Sequence, residues 1–173
     1  MKRRITMARS NMDKLRNVWR DKNITTATKV RLVKTLIFPV FMYGAETWSI
    51  RERERQRIDA FEMWCWRRML CIPWTARRTN VSILQELNVQ RRLSATVRAN
   101  ILKFFGHITR SGEDSIERLV VQGHVEGRRP RGRSPTRWTD QIKSITGKSF
   151  QECTRAAMDR REWQRTVSMA GNN

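Results

Sequence analysis

Apolar residues recur every three to four positions along most of this chain, and that spacing is typical of amphipathic α-helices. A first helix is predicted from the stripe formed by Ile5, Ala8, Met12, Leu15 and Trp19. Similar stripes predict a helix that starts at Thr25 or Thr26, a helix that carries Ile58 to Met69, and a helix from Arg91 to Arg110. The pattern therefore predicts an all-α chain.

A proline interrupts the second stripe at Pro39. Because proline removes a helix hydrogen bond and clashes with the preceding turn, we expect that helix to kink or to end there. The stretch from Phe38 to Gly44 is apolar on all sides, and we expect it to be buried on every side.

Two capping signals predict helix starts in the second half of the chain. Ser82 with Gln85, and Ser149 with Glu152, have the spacing of a capping box. The first predicts a short helix from about Ile83 to Leu87, and the second predicts the last helix of the chain.

Another helix is predicted from Thr136 to Thr146, with Ser134 and Pro135 at its start and Gly147 as its stop. Upstream of it, the apolar run within Ile116 to Val125 is too short to distinguish helix from strand. A boundary is predicted near residues 111–114. We expect residues 1–112 to form a helical bundle and residues 113–173 to form a smaller basic helical module with an Arg/Gly/Pro loop.

Charge changes the picture most, because the formal net charge is +20 and arginine supplies most of the 36 basic residues. A polyanionic partner would offset that repulsion, and the planar guanidinium grips phosphate oxygens with two hydrogen bonds. One glycine- and proline-rich segment concentrates the charge and ends at Trp138, which can stack on a base. Its arginines are the predicted nucleic-acid contacts Arg128, Arg129, Arg131, Arg133 and Arg137.

Three adjacent arginine pairs are Arg67 with Arg68, Arg77 with Arg78, and Arg91 with Arg92. They line one basic face if the intervening helices pack side by side, and they are scattered surface charge otherwise. The sequence does not choose between these alternatives, so Arg67, Arg68, Arg77 and Arg78 remain candidate contacts.

Tryptophans and cysteines cluster at Trp64, Trp66 and Trp74 around Cys65 and Cys71. Core or interface packing is the main interpretation, and base stacking is the alternative. The cysteines and histidines lack the spacing of a structural zinc site, so we expect neither a metal nor a cofactor.

The longest apolar run is Leu36 to Tyr43, which is far shorter than the roughly 20 residues that a membrane-spanning helix needs. The first twenty residues lack the apolar core of a secretory signal. With sparse cysteines, these features favour a nuclear or cytoplasmic location and no membrane partner.

Four ordered motifs resemble the C-terminal region of reverse transcriptases from LINE-type (non-LTR) retrotransposons, in the lineage where an apurinic-type endonuclease precedes the polymerase. The first joins residues 29–34 to the sequence FPVFMYGAETW at residues 38–48. The others are RIDAFEMWCWRRML at residues 57–70, LKFFGH at residues 102–107, and GRRPRGR with TRWTD at residues 127–140.

The resemblance implies a thumb-like helical segment followed by a basic extension that holds template RNA or target DNA. Polymerases of this family carry two adjacent aspartates that bind magnesium, and this sequence has no Asp-Asp pair. We therefore expect nucleic-acid binding without catalysis. The alternative is a repurposed fragment that docks on a polymerase partner through a Trp-rich surface, or that self-associates through apolar surface.

Overall fold

The computed structural model describes residues 1–73, 75–112, 115–122 and 137–170. Every regular element in these ranges is helical, which confirms the predicted all-α fold. The chain divides into two compact units, of which the first comprises Met1–Ala45 and Glu52–Thr96, and the second comprises Glu46–Arg51 and Val97–Asn173.

The first unit is built from six α-helices and one π-helical segment. They are α1 (Lys2–Lys14), α2 (Arg16–Arg20), α3 (Thr26–Leu32), the π-helical segment Val33–Ile37, α4 (Phe38–Met42), α5 (Glu52–Met69) and α6 (Asn80–Glu86). The next helix, α7 (Leu93–Arg110), begins in this unit and continues into the second. A short 3₁₀ turn covers Ala45–Thr47.

The described part of the second unit contains the rest of α7 and four further helices. They are α8 (Ile116–Gln122), α9 (Trp138–Thr146), α10 (Phe150–Met158) and α11 (Arg160–Ala170). Residues 97–112 cluster with the second unit. The predicted division into residues 1–112 and 113–173 stays a prediction.

The predicted apolar stripes form the core of the first unit. Helices α1, α4 and α5 pack on one another, and the Phe41 and Phe61 rings lie 4.9 Å apart between centroids. The stripe of the first helix is buried at Ala8, Met12 and Trp19, although the helix breaks at Leu15. The Trp19 indole N–H connects α2 to α1 across this break, because it donates to the Met12 carbonyl at 2.8 Å.

Pro39 is accommodated by a π-helical segment directly before it. A proline ring inside a regular helix clashes with the carbonyl four residues earlier, and the wider π turn relieves that clash. The expected burial on every side is wrong. Phe38 and Phe41 are buried, whereas Pro39 in the same helix is exposed, so α4 is a surface helix with one buried face. Tyr43, just after α4, is 72% exposed.

Aromatic side chains build the core of the second unit around Phe105. Its ring centroid lies 5.4 Å from that of Trp163 and 5.7 Å from that of Phe150. The Trp163 indole N–H donates to the Leu102 carbonyl at 2.8 Å, which joins α11 to α7.

Capping decides where several helices begin and end. The capping box of Ser149 and Glu152 is present as predicted, and Gly147 ends α9 with φ +69°. Thr79 rather than Ser82 caps α6, and its hydroxyl accepts the Ser82 backbone N–H at 3.2 Å. The predicted last helix is divided at Asp159, which has an extended backbone conformation.

Candidate nucleic-acid interface

The two ends of the predicted arginine segment fall differently in the structure. Arg128, Arg129, Arg131 and Arg133 lie outside the described residues, as do the predicted cap residues Ser134 and Pro135. Arg137 is described, and it is the exposed residue that precedes α9. Its backbone N–H donates to the Asp140 carboxylate at 2.8 Å, which fixes its backbone at the start of α9.

Trp138 is half-buried within the second unit. Its indole N–H donates to the Glu46 carbonyl at 2.9 Å, and its ring meets Phe104 edge-on at 6.1 Å between centroids. The buried Gln141 side chain, one turn later, donates to the Trp48 carbonyl and accepts from the Ile50 N–H. The two motifs around Trp48 and Trp138, far apart in sequence, therefore meet through hydrogen bonds.

Arg67 and Arg68 lie in the last turn of α5, half-buried in the first unit. The Arg67 guanidinium donates to the Arg78 carbonyl at 2.7 Å and to the Asn80 amide oxygen at 3.0 Å. Both acceptors are neutral, so the positive charge of Arg67 is not compensated by them. Arg68 pairs with the Asp13 carboxylate at 2.7 Å.

Helix α5 ends in a Schellman motif that has cysteine where glycine is usual. Cys71 has a left-handed backbone conformation with φ +53°. The Ile72 N–H bonds to the Arg67 carbonyl at 3.0 Å, and the Cys71 N–H bonds to the Arg68 carbonyl at 3.2 Å. These two hydrogen bonds and the sharp turn therefore fix the backbone just after Arg67 and Arg68.

Two arginines that the sequence analysis did not single out lie near the end of α5, beside Arg67 and Arg68. Arg16 and Arg20 are one turn apart on α2, which packs against α5. A cavity of about 220 Å³ lies there, and its lining consists of Arg16, Trp19, Arg20, Arg67, Arg68, Cys71, Ile72 and Pro73. We call it the arginine pocket. The four-residue spacing of Arg16 and Arg20 was a visible signal, but their nearness to α5 was not.

Lys29 fixes the end of α2 beside the arginine pocket. Its ammonium donates to the Trp19 carbonyl at 2.8 Å and to the Asp21 carbonyl at 2.7 Å. The last carbonyls of a helix carry partial negative charge, so a lysine there stabilises the helix end. Lys29 therefore holds the turn that carries Arg20.

The three arginine pairs do not share one role. Arg77 is exposed, whereas Arg78 forms an ion pair with Glu86. Arg92 donates to the buried Glu62 carboxylate at 2.6 Å. Burial raises the pKa of Glu62, and the hydrogen bond from Arg92 offsets only part of that effect.

The tryptophans of the described residues are core or half-buried side chains. Trp19, Trp66 and Trp163 are at most 3% exposed. Trp64 is half-buried beneath the Arg9 guanidinium, which lies 5.0 Å from its ring centroid, and Trp74 lies outside the described residues. Core packing of Trp66 is confirmed, and the Trp-rich surface of the docking alternative stays a prediction.

The cysteines differ in exposure. Cys71 is exposed, whereas Cys65 and Cys153 are buried, and burial raises the pKa of the Cys65 thiol. Among the described residues, no three His, Cys, Asp or Glu side chains come together as metal ligands would. A helix with the length and apolarity to cross a bilayer is not found among them either.

Comparison with known proteins finds a relative that is derived from a transposon. Over 145 residues, 26% of positions are identical to a transposon-derived protein of Caenorhabditis elegans, and the match covers 78% of this chain and 52% of the relative. The chain spans about half the length of that relative. No family model matches the sequence, and no solved structure matches it. The chain is therefore similar to a transposon-derived protein.

Proposed function

We propose that this chain is a nucleic-acid-binding C-terminal part of a retrotransposon reverse transcriptase, without a catalytic site of its own. It grips template RNA or target DNA through arginine–phosphate contacts. In the parent protein, the polymerase domains would bind magnesium and carry out RNA-templated DNA synthesis. The proposed contacts are Arg128, Arg129, Arg131, Arg133 and Arg137, together with Arg67, Arg68, Arg77 and Arg78.

The observation that carries this proposal is the excess of uncompensated arginine on a folded helical chain. The net charge is +20, because the 36 lysines and arginines outnumber the 16 aspartates and glutamates by twenty. The chain's own carboxylates cannot cancel this excess, which therefore attracts an anion. Arg67 illustrates the point, because its guanidinium is oriented by two neutral acceptors rather than by a carboxylate. The similarity to a transposon-derived protein supports a nucleic-acid partner.

Fluorescence anisotropy tests the proposal, with the purified chain titrated against single-stranded RNA, single-stranded DNA and an RNA/DNA hybrid across a salt series. Steep salt dependence is expected, because each neutralised phosphate releases counterions. Replacing the five arginines from Arg128 to Arg137 by glutamine should lower the slope by up to about 4.5 on a duplex and about 3.5 on a single strand.

A control variant with the same change in net charge carries five glutamines in place of other exposed arginines. Suitable positions are Arg51, Arg53, Arg155, Arg160 and Arg165. The control is expected to lose much less of the slope, because only bound phosphates release counterions. Equal slopes for the two variants and the unmodified chain would remove the segment from the proposed interface.

Docking on a polymerase partner is the competing proposal. Besides partly exposed tryptophans, such a partner would contact exposed apolar side chains, for example Leu36 in the π-helical segment and Tyr43 just after α4. Docking of this kind is insensitive to salt, whereas phosphate binding weakens steeply with salt. The same anisotropy series therefore separates the two proposals.

A further inference from the structure

We propose that the arginine pocket is a phosphate-binding site, in which Arg16, Arg20, Arg67 and Arg68 together hold one phosphate group of a nucleic-acid strand. The inference rests on the proposed nucleic-acid binding and gives it a specific place in the first unit. Arg16 and Arg20 enter here as new contacts.

The concentration of like charge is the first argument. Four arginines line a cavity of about 220 Å³, and among the described residues Asp13 is in ion-pair contact with one of them, Arg68. Guanidinium groups in one small cavity repel one another, and this repulsion opposes folding unless an anion is bound. A phosphate group accepts several charge-assisted hydrogen bonds at once, which matches a ring of such donors.

The cavity is also the right size and polarity. Its volume is many times the roughly 10–15 Å³ that a cavity needs to hold one water molecule, so a phosphate group fits. Trp19, Ile72 and Pro73 supply apolar wall beside the arginines. A wall of low polarity strengthens the attraction between a guanidinium and a phosphate.

Pre-organisation is the third argument. Arg67 is oriented by the Arg78 carbonyl and the Asn80 amide oxygen, which both accept from its Nη2. A guanidinium has five N–H donors, so Nε and Nη1 offer further N–H groups to a ligand. The Schellman motif at Cys71 fixes the end of α5, and Lys29 fixes the end of α2. The residues of the pocket are therefore ordered before a ligand binds. Less conformational entropy is lost on binding, which raises affinity.

Cys71 provides a direct reporter, because it lines the pocket and is exposed while Cys65 and Cys153 are buried. The experiment measures the rate at which uncharged N-ethylmaleimide labels Cys71 in the full chain. The rate is compared without ligand, with inorganic phosphate, and with a single-stranded oligonucleotide that carries either a 5′-phosphate or a 5′-hydroxyl. Binding of each oligonucleotide is followed in parallel by anisotropy.

Bound oligonucleotide is expected to slow the labelling of Cys71 about tenfold or more. The double variant Arg16→Gln/Arg20→Gln should lose this protection, and its affinity for the strand should fall about tenfold or more. Both residues are exposed, so the variant is expected to fold. A control with the same charge, Arg3→Gln/Arg53→Gln, should keep the protection.

The arms of the experiment also identify the phosphate. Protection only by the 5′-phosphorylated strand or by inorganic phosphate assigns the pocket to a strand end, and equal protection by the 5′-hydroxyl strand assigns it to a backbone phosphodiester. If the strand binds but Cys71 reacts at its free rate, or if the double variant keeps full protection, the pocket is not the site and the proposed function stands. If no oligonucleotide binds, both fail.

Discussion

The Trp163 indole lies directly against the backbone of Gly106, in the middle of α7. A β-carbon added at Gly106 would stand 2.4 Å from both Cδ1 and Nε1 of that ring. Real contacts of this kind are never so short, so the aromatic core of the second unit requires glycine at this position. The glycine belongs to the sequence LKFFGH at residues 102–107, and its contact with Trp163 explains why a larger residue does not fit there.

Gly106→Ala is expected to destabilise the chain by about 1–3 kcal/mol, because the indole must move and alanine's better helix propensity returns only about 1 kcal/mol. Urea unfolding measures the difference. Gly112→Ala is the matched control, since nothing lies within 4 Å of its added β-carbon. A Gly106→Ala variant as stable as the control would contradict the packing seen here.

Features of the fold could be predicted from the sequence where the interacting residues are close along the chain. The capping box at Ser149 involves residues three apart, and the sequence predicted it correctly. The contact of Gly106 with Trp163 and the π-helical segment before Pro39 depend on residues brought together by folding. Periodicity could show that both regions were helical, but it could not show what lay against them.

The arginine pocket shows the same limit. Arg67 and Arg68 stood out as an adjacent pair, whereas Arg16 and Arg20 became notable only when α2 was seen to pack beside the end of α5. A local pattern reveals charge, but only the packing of helices shows which charges converge.

Cys71 occupies a left-handed position that favours glycine, which predicts an unusual substitution outcome. A non-glycine residue there costs about 1–2 kcal/mol, and part of this is recovered in Cys71→Gly, so we expect that variant to be as stable or up to about 1 kcal/mol more stable. Cys71→Val should be less stable, because a β-branched residue fits this conformation worst. Thermal unfolding with the two variants side by side measures both effects.

Asn88 is the internal control for this prediction. It follows α6 in the same left-handed conformation, with φ +48°. Asparagine tolerates this conformation better than most residues, so Asn88→Gly is expected to change stability by only a few tenths of a kcal/mol. A gain at Asn88 as large as the gain at Cys71 would show that backbone strain is not the cause.

Glu62 and Glu152 should give opposite pH dependences. Burial raises the pKa of Glu62, so its contribution to stability is fully present below the pKa of about 4.3 of an unfolded glutamate and is lost as pH rises through the raised pKa. Hydrogen bonds from Ser149 lower the pKa of Glu152, so its contribution is present above that value and is lost as pH falls.

Urea unfolding of Glu62→Gln and Glu152→Gln at pH 7 and pH 4 measures these contributions. The free energy of unfolding of Glu62→Gln, relative to that of the unmodified chain, should be higher at pH 7 than at pH 4, because glutamine resembles the protonated side chain. For Glu152→Gln, the same relative free energy of unfolding should be lower at pH 7 than at pH 4. The same sign for both variants would rule out the environments described for these two carboxyls.

Trp138 allows packing and nucleic-acid stacking to be distinguished. Because its indole N–H is bonded to the Glu46 carbonyl and its ring contacts Phe104, we expect it to act mainly on stability. Trp138→Ala should cost about 3–5 kcal/mol, and Trp138→Phe should cost less because it keeps a ring and loses one hydrogen bond. Affinity for single-stranded RNA, measured where each variant is folded, should change less than about threefold. If Trp138 stacks on a base, the alanine variant should instead lose about 1–3 kcal/mol of binding free energy. A loss of that size would show that Trp138 contacts the nucleic acid.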